Sequence, residues 1–483
     1  MYNNTDLEEL FSKIEPDSAL KEKIIRRMEE KEMKKSASKS IKHLMVIAAC
    51  VTAAGLTTAF AAGGLISYFQ SEKAVELTDM QALAEYNKEV GASASNLGYT
   101  LTIDNLASDD NFIHVFYTVT KDGGPMTEDE NFDLWFLYRI NGMLAGMGNN
   151  TDEYGYISDD GSYKGVVKLS VADMDIPETF TLEMYSANDS KKAESVFEGD
   201  YLFRKDLQLT SEDKEKLLYV STTAEKSDIK TKSIIKEVHK TFGVTYYDDQ
   251  TDAKKNGEAE ISKVILSPFG NQLVVTDKCQ GAGGLSVSGW ALFDENGQNL
   301  DILNTGLSGA TVDGIECTNS IEFLKANEKT KALKLVPAVY NSNHGDLPDI
   351  KHNIGTYPIV YKVNDYGSIV VTDIRISDGE IEIDYYKDGF SPYDPGFRLM
   401  DSNGNNAEPG GKLGCLLTTV VHHDTNSYTA KYSYDEYDIH GKKIPADESV
   451  SKENLEKKFT VLGAVEYNVF TLDYDNAIDI DLK

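Results

Sequence analysis

The sequence predicts a mainly β protein with short N-terminal helices and one transmembrane helix, followed by tandem β-sandwiches. Three observations lead to this prediction. An uncharged run of 26 residues, 44–69, is long enough to cross a bilayer. After about residue 95, short alternating runs are separated by Asp, Asn and Gly turns, as in antiparallel sandwiches. In that part of the chain an ordered set of strand-like segments recurs three times.

These patterns divide the chain into six predicted parts. They are a cytoplasmic helical head (1–43), a transmembrane helix (44–69), a juxtamembrane helix (70–94), a first β-sandwich (95–210), a linker with a second β-sandwich (211–363) and a third β-sandwich (364–483). Within the linker, residues 211–218 have helix character after Thr210, and residues 229–247 are predicted to be strands that lead into the second sandwich.

The head is predicted to form two short amphipathic helices separated by Pro16. A helix this short does not bury an apolar stripe by itself, so the stripe needs a partner, a second copy or the membrane surface. The apolar positions of the second helix recur with the α-helical period. Leu20, Ile24 and Met28, with Ile25 beside them, form this stripe. The alternative is a solvated juxtamembrane helix with no partner.

The charges beside the uncharged run predict its orientation. Basic residues crowd its N-terminal flank, whereas the first basic residue after it is Lys73. Because Lys and Arg are enriched on the cytoplasmic side, we expect a single pass with the N-terminus inside and the bulk outside. Residues 1–43 hold 10 basic and 9 acidic residues, a net charge of +1, and the remainder holds 38 and 70, a net charge of −32. So acidic a region argues against nucleic acid as a partner.

Two other interpretations of the uncharged run stay open at this stage. Residues 59–61 form an A-x-A site, so the run could belong to a cleaved signal peptide. Residues 47–50 have the shape of a lipobox that ends at Cys50. A long head that is nearly as acidic as basic argues against the first interpretation. The apolar residues that continue after Cys50 argue against the second.

A helix is also predicted just outside the bilayer. Thr78 and Gln81 have the spacing of a capping box, which opens a helix. Apolar residues continue through Val90, and Gly91 is the expected stop.

The repeat consists of an opening pair of strands, a middle segment and a closing strand. The opening pairs are 101–119, 261–275 and 369–385, the middle segments are 135–142, 290–297 and 397–404, and the closing strands are 201–203, 357–361 and 467–470. Each middle segment begins with an aromatic residue, Trp135, Trp290 or Phe397, and runs into an Asn-Gly turn. We interpret the repeats as three immunoglobulin-like sandwiches in which these aromatic residues lie in the core between the sheets.

No catalytic signature accompanies these sandwiches. The sequence has 8 histidines, yet it contains no H-E-x-x-H, no G-x-S-x-G and no glycine-rich phosphate loop. Four oxygen-rich loops, 109–110, 158–161, 248–249 and 294–296, do not fit the EF-hand spacing and are interpreted as solvated turns. We therefore expect binding or sensing, with no catalytic residue, cofactor or metal.

These features together resemble a known family. The resembling parts are the 20–28 helix, the Lys-rich flank before residue 44, the uncharged run, the 77–90 helix and the 101–119 strands. In order and texture they are similar to bacterial anti-sigma-factor-like membrane proteins that carry the domain of unknown function 4179, mostly from Gram-positive bacteria. The resemblance covers about the first 200 residues.

This resemblance implies that the head holds an extracytoplasmic-function sigma factor at the membrane and releases it on an outside signal. The partner-binding residues that it implies, as apolar anchors in a groove of the sigma factor, are Leu10, Phe11, Leu20, Ile24, Ile25 and Met28. Many anti-sigma heads carry a His/Cys zinc motif, which this head lacks, so the implied binding is by helix packing alone. The rival interpretation is a surface-anchored structural or adhesive protein with a passive cytoplasmic tail. Residues 478–483 show no sorting signal, which favours sensing. The signal and the extracellular ligand are not indicated by the sequence.

Overall fold

The computed structural model describes Tyr68 and most of the chain after residue 86. The described segments are 87–126, 136–145, 151–186, 209–226, 233–248, 253–277, 290–308, 317–340, 348–391, 395–412, 414–422, 425–434, 436–437, 443–444, 448–466 and 470–483. They are mainly β, as predicted. The helical head and the uncharged run, apart from Tyr68, lie outside them. Within these segments no helix is long and apolar enough to cross a membrane. The chain divides into two compact units, Met1–Ser233 with Ser267–Gly270, and Ile234–Leu266 with Asn271–Lys483.

Among its described residues, the first unit contains one sandwich of nine strands. They are β1 (Asn87–Asn96), β2 (Tyr99–Ser108), β3 (Phe112–Lys121), β4 (Leu137–Ile140), β5 (Met143–Ala145), β6 (Thr151–Ile157), β7 (Tyr163–Ser170), β8 (Thr179–Ser186) and β9 (Leu218–Glu225). Five form an antiparallel sheet in the order β1-β2-β3-β7-β6, and four form a second sheet in the order β5-β4-β8-β9. Apolar residues of both sheets meet in one core.

Strand β1 corrects the predicted juxtamembrane helix over its last residues. Asn87–Asn96 is extended and pairs with β2, with a bulge between Glu89 and Ala92. Gly91 lies in this bulge with φ of +66°, which a glycine adopts without strain. Val90, Ala92 and Ala94 pack against the first core. These three residues alternate with the period of a strand, so the helical interpretation of Val90 and Gly91 was wrong.

The predicted Asn-Gly turn of the first sandwich is confirmed. Asn141 and Gly142 both have positive φ, +50° and +81°, which suits the tight link between β4 and β5. The predicted core aromatic, Trp135, lies outside the described residues. Its neighbour Phe136 is 3% exposed and belongs to the core.

A short helix, α1 (Ser211–Glu215), precedes β9 and confirms the predicted helix after Thr210, except that Leu218 already begins β9. The Thr210 hydroxyl accepts the Asp213 backbone N–H at 3.2 Å, and the Asp213 carboxylate accepts the Thr210 N–H at 2.8 Å. This reciprocal capping box satisfies donors that a helix start leaves open.

The second unit contains nineteen strands among the described residues. They are β10 (Ile234–Asp248), β11 (Ala253–Leu266), β12 (Asn271–Asp277), β13 (Trp290–Asp294), β14 (Ile302–Ser308), β15 (Cys317–Phe323), β16 (Ala332–Tyr340), β17 (Asp349–Asn353), β18 (Ile359–Tyr361), β19 (Gly367–Ser377), β20 (Glu380–Gly389), β21 (Arg398–Met400), β22 (Cys415–His422), β23 (Ser427–Ser433), β24 (Glu436–Tyr437), β25 (Lys443–Ile444), β26 (Val461–Val465), β27 (Phe470–Leu472) and β28 (Ile478–Asp481). A helix, α2 (Lys452–Lys458), precedes β26.

These strands form two sandwiches and a separate pair, β24-β25. The second sandwich has the sheet β10-β11-β12-β15-β14 and a smaller sheet in which β13 lies on one edge of β16 and β27 and β28 lie on the other. The third sandwich has the sheets β18-β19-β20-β23-β22 and β17-β26-β21. Each has its own core. Sandwich architecture is thus present three times, and its assignment as immunoglobulin-like stays a prediction.

The middle segments of the second and third repeats fold as predicted. Trp290 packs against the second core, with its ring centroid 5.4 Å from that of Phe242, and Phe397 is buried in the third core. The turn that follows is the same in both sandwiches. Asp294 accepts two backbone N–H groups two and four residues later, each at 2.8 Å, and Asp401 does the same at 2.8 and 3.0 Å.

The predicted closing strands belong elsewhere. Ile359–Tyr361, expected to close the second sandwich, is β18 and pairs with β19 in the third. Phe470, expected to close the third sandwich, begins β27 and pairs with β16 in the second. The boundary proposed at 363/364 therefore falls between β18 and β19, which the structure pairs in one sheet. Residues 201–203 lie outside the described residues.

A buried ion pair joins the second and third sandwiches. The Lys325 ammonium lies 3.0 Å from the Asp301 carboxylate, and Tyr428 of β23 donates its hydroxyl to the same oxygen at 2.9 Å. Lys325 also donates to the carbonyl of Lys387 at 3.1 Å. Because these partners are buried, separating the two sandwiches would leave a buried charge without a partner. The ion pair and its hydrogen bonds therefore stabilise one arrangement of the two sandwiches.

We predict that Asp109 makes the stability of the first unit depend on pH. Its carboxylate accepts the backbone N–H groups of Asn111 and Phe112 at 2.7 Å, yet burial raises its pKa to about 6. Since ionisation is disfavoured in the folded chain, the unfolding free energy should fall by about 1–3 kcal/mol as pH rises from about 4 to about 6. Denaturant unfolding of the full chain between pH 4 and 7 measures this loss.

The matched variants are Asp109→Asn and, at an exposed turn, Asp475→Asn. The first removes the titrating group and should flatten the profile over this range, while the second should keep the wild-type slope. A slope that persists in Asp109→Asn would contradict the assignment.

Candidate functional site

The outer face of the larger sheet in the first sandwich is buried in its middle. The inward residues of β3 and β7 lie in the core, so His114, Phe116 and Val166 point to the opposite face. All three are nonetheless 0% exposed. One residue that lies over this face is Tyr68, which is 4% exposed and comes from the end of the uncharged run. Its position makes this face the candidate functional site.

Strand β2 has a bulge at Asp104, next to the Tyr68 hydroxyl. The register with β3 passes from Ile103 opposite Tyr117 to Asn105 opposite Phe116, which leaves Asp104 as the extra residue. Ile103 lies in the core, so ordinary alternation places Asp104, the next residue, on the outer face, where its carboxylate accepts the Thr118 hydroxyl of β3. The bulge shifts the alternation after Asp104, so that Leu106 also lies in the core.

The Tyr68 hydroxyl is held by two polar side chains. It donates to the Asp104 carboxylate at 2.5 Å and lies 3.1 Å from the Thr118 hydroxyl. The Thr118 hydroxyl donates to the same carboxylate oxygen at 2.7 Å. Hydrogen bonds to an ionised acceptor are among the stronger ones in proteins, about 1.5–3 kcal/mol each.

The Tyr68 ring is held by an aromatic residue and a cation. Its centroid lies 5.5 Å from that of Phe116 in an edge-to-face arrangement, and the Lys164 ammonium lies 5.0 Å from it. Both geometries are favourable for an electron-rich ring face. Lys164 Nζ also lies 3.5 Å from the Thr118 hydroxyl. We call Asp104, Phe116, Thr118 and Lys164 the Tyr68 seat.

The seat is suited to holding a tyrosine side chain. It offers one carboxylate acceptor, one hydroxyl, one cation and one aromatic edge, all arranged around a single ring. Since the ring and the hydroxyl have separate partners, the seat fixes both the position and the orientation of Tyr68.

The sequence-predicted partner-binding residues cannot be placed. Leu10, Phe11, Leu20, Ile24, Ile25 and Met28 all lie outside the described residues, so their assignment stays a prediction.

The oxygen-rich loops can be placed in part, and several of their carboxylates have partners within the chain. Asp160 accepts the hydroxyls of Ser158 and Ser162 at 2.5 and 2.6 Å, and these hydrogen bonds lower its pKa to about 2. Asp110 lies 3.3 Å from the Lys226 ammonium. Across the described segments, no group of three or more His, Cys, Asp or Glu side chains has the geometry of a metal site.

Sequence reasoning missed the Tyr68 seat. Asp104 and Asn105 are consecutive polar residues in an otherwise alternating strand, and this break was the available signal for a bulge. Tyr68 was counted with the uncharged run. Nothing in the pattern alone connects it to a residue 36 positions later.

One protein-family model matches part of the chain. Residues 33–121 match the model of a domain of unknown function, DUF4179. The DUF4179 match covers the basic flank, the uncharged run and strands β1 to β3, and so includes Tyr68 and three residues of its seat. It supports the resemblance drawn from the sequence. No curated protein matches the chain.

A solved structure also resembles the chain, the conserved domain protein from Bacillus anthracis. It shares 15% identity, covering 55% of this chain and 82% of that chain, with a TM-score of 0.30. A likeness this distant carries no argument about fold or function.

We predict that the seat contributes measurably to the stability of the first sandwich. Tyr68→Phe loses the hydroxyl donor and should lower the unfolding free energy by about 1–2 kcal/mol. Tyr68→Ala also loses the ring contacts and should cost about 3–5 kcal/mol. Hydrogen exchange of β2, β3 and β7 in the detergent-solubilised full chain measures both losses.

Tyr386→Phe provides the matched control, because Tyr386 is 40% exposed and lies on β20 in the other unit. It should leave exchange in β2, β3 and β7 unchanged. Equal exchange in wild type and Tyr68→Ala would show that Tyr68 does not occupy the seat in solution.

Proposed function

We propose that this chain is a membrane-anchored anti-sigma-factor-like regulator. In this proposal the head, residues 1–43, binds an extracytoplasmic-function sigma factor on the cytoplasmic side. Residues 44–69 cross the membrane once, and the β-sandwiches outside sense an extracytoplasmic signal. The charge asymmetry around the run supports the orientation. The resemblance of the first 200 residues, together with the DUF4179 match, supports the class of protein.

The observation that carries the proposal is the position of Tyr68. It lies one residue before the end of the proposed span, and its side chain is seated in the first sandwich by Asp104 and Thr118. A sensor needs a defined connection between the part that meets the signal and the part that crosses the membrane. The seat supplies such a connection, because a change in the sandwich that altered the seat would act directly on the end of the span.

The head is expected to bind its partner through an apolar helix face. Leu20, Ile24 and Met28 would insert into a groove of the sigma factor, with Leu10, Phe11 and Ile25 beside them. A head this short forms one small interface. Confinement at the membrane, or ordering of the helix on binding, would then contribute to retention of the partner.

Co-purification tests this binding. The tagged full chain is solubilised from its own cells beside a variant with Leu20, Ile24 and Met28 changed to Asp. We expect one sigma-type protein with wild type and at least a tenfold loss with the variant, because buried charges abolish such an interface. The control changes Glu22, Arg26 and Glu29 to Ala, which lie on the opposite face of the predicted helix.

Recovery that is equal from wild type and the Asp variant would contradict the proposed interface, and so would the absence of any sigma-type protein. In that case the rival interpretation, a surface-anchored structural or adhesive protein with a passive tail, would be favoured. The search would then turn to what the acidic sandwiches bind.

A second test connects the seat to the head. If Tyr68 carries the signal, Tyr68→Ala should change the amount of sigma factor retained under unstressed conditions by several-fold, whereas Tyr386→Phe should not. Immunoblotting of the retained sigma factor measures the change. The same retention in wild type and Tyr68→Ala would show that the seat has no part in signalling.

A further inference from the structure

The smaller sheet of each sandwich contains the same set of three antiparallel strands. The central strand of the set, β8, β16 or β26, pairs on one edge with the strand from the middle segment of its repeat. On the other edge it pairs with β9, β28 or β17, which we call the last strand. The residues that lie opposite one another across the three strands are Tyr138, Met184 and Val220 in the first sandwich, Leu292, Leu335 and Ile478 in the second, and Leu399, Leu462 and His352 in the third.

The chain reaches these last strands by different routes. In the first sandwich, β9 follows its partner β8 in the chain. In the second, the last strand is β28, which comes after the whole third sandwich. In the third, the last strand is β17, which precedes the other strands of that sandwich and directly follows β16 in the chain.

The sequence separations relate the two unusual routes. His352 of β17 comes 17 residues after Leu335 of β16, and Ile478 of β28 comes 16 residues after Leu462 of β26. Strands β16 and β26 are thus each followed, at nearly the same separation in sequence, by a strand whose register would fit their own free edge. In both cases that strand pairs with the other sandwich.

We infer that the second and third sandwiches have exchanged their last strands. A third sandwich simply inserted into the second would supply β17 at no particular distance from β16. The matching separations instead indicate two copies of one unit, each of which gives its last strand to the other. The first sandwich, with β9 beside β8, keeps the arrangement without exchange. This inference does not rest on the proposed function.

Strand β28 is well integrated in the second sandwich. Ile478 and Ile480 are 5% and 1% exposed and belong to its core. On the other face, the Lys334 ammonium lies 3.2 Å from the Asp479 carboxylate directly opposite. An apolar inner face and a matched outer pair define the register of the exchanged strand.

Strand β27 holds the two sandwiches together. Phe470 stacks on Tyr366 at 5.7 Å and meets Phe390 edge to face at 5.4 Å between centroids. Both partners come from the third sandwich, whereas β27 itself pairs with β16 of the second. The backbone N–H of Leu472 donates to the Tyr366 hydroxyl at 3.2 Å. A small separate core therefore forms around β27.

The pairing of β27 and β28 with β16, and of β17 with β26, forms what we call the clasp between the two sandwiches. Without β27 and β28 the second sandwich has an open edge on β16, and without β17 the third has one on β26. Phe470 of β27 packs on Tyr366 and Phe390 of the third sandwich, and Asp301 and Lys325 of the second bind Tyr428 and the carbonyl of Lys387 in the third. Unfolding of either sandwich therefore removes buried partners from the other. The two sandwiches should behave as one cooperative unit.

Cysteine pairs test the exchange in the full chain. Directly opposite residues of antiparallel strands are close enough for a disulfide. Lys334→Cys with Asp479→Cys should cross-link under mild oxidation. Lys334→Cys with Asn353→Cys, which would be opposite each other if each sandwich kept its own strand, should not. Peptide mapping by mass spectrometry identifies the linked residues. A 334–353 link in place of the 334–479 link would overturn the exchange.

Hydrogen exchange tests the clasp. Ile480→Asp places a charge in the second core and should raise exchange about tenfold or more in β13 and β16. If the sandwiches are clasped, exchange should rise as well in β19, β20 and β23 of the third. Asp479→Asn, on the exposed face of the same strand, is the control. Increased exchange confined to the second sandwich would overturn the cooperative unit, even if the cross-link forms.

Discussion

The pairing of β16 on both edges is the constraint on which the second unit depends. A strand edge presents N–H and C=O groups that need partners when they are buried. One edge of β16 finds them in β13 and the other in β27 and β28, about 130 residues further along the chain. This long-range pairing places the third sandwich between two parts of the second and brings Phe470 against it.

In the first sandwich, the part that needs a distant partner is the outer face of the larger sheet rather than a strand edge. Its larger sheet has apolar residues on both faces, so one face needs cover from elsewhere in the chain. Tyr68 gives part of that cover, and the Asp104 carboxylate is the polar partner of its hydroxyl. In both units a segment distant in sequence completes a sheet that its own strands leave unfinished.

Much of the β architecture was predictable because it depends on local chemistry. The alternating strands and the Asn-Gly turn at 141–142 follow from side-chain period and backbone φ, which short segments carry by themselves. The bulged strand β1 was missed because Val90 and Gly91 also fit the end of an amphipathic helix that stops at a glycine. The seat of Tyr68 and the partner of β16 depend on which distant segments meet, and neither period nor composition carries that information.

The order of strands in β16, β17 and β28 also has a consequence for biosynthesis. A ribosome that adds about 5–20 residues per second takes on the order of 10 s to travel from the end of β16 to the start of β27. During that time β17 is already present and β28 is not, so an early partner for β16 would be its own neighbour in sequence. The exchanged arrangement therefore requires that β16 wait for β28, or that it release β17, and the folding rate should be set by that competition.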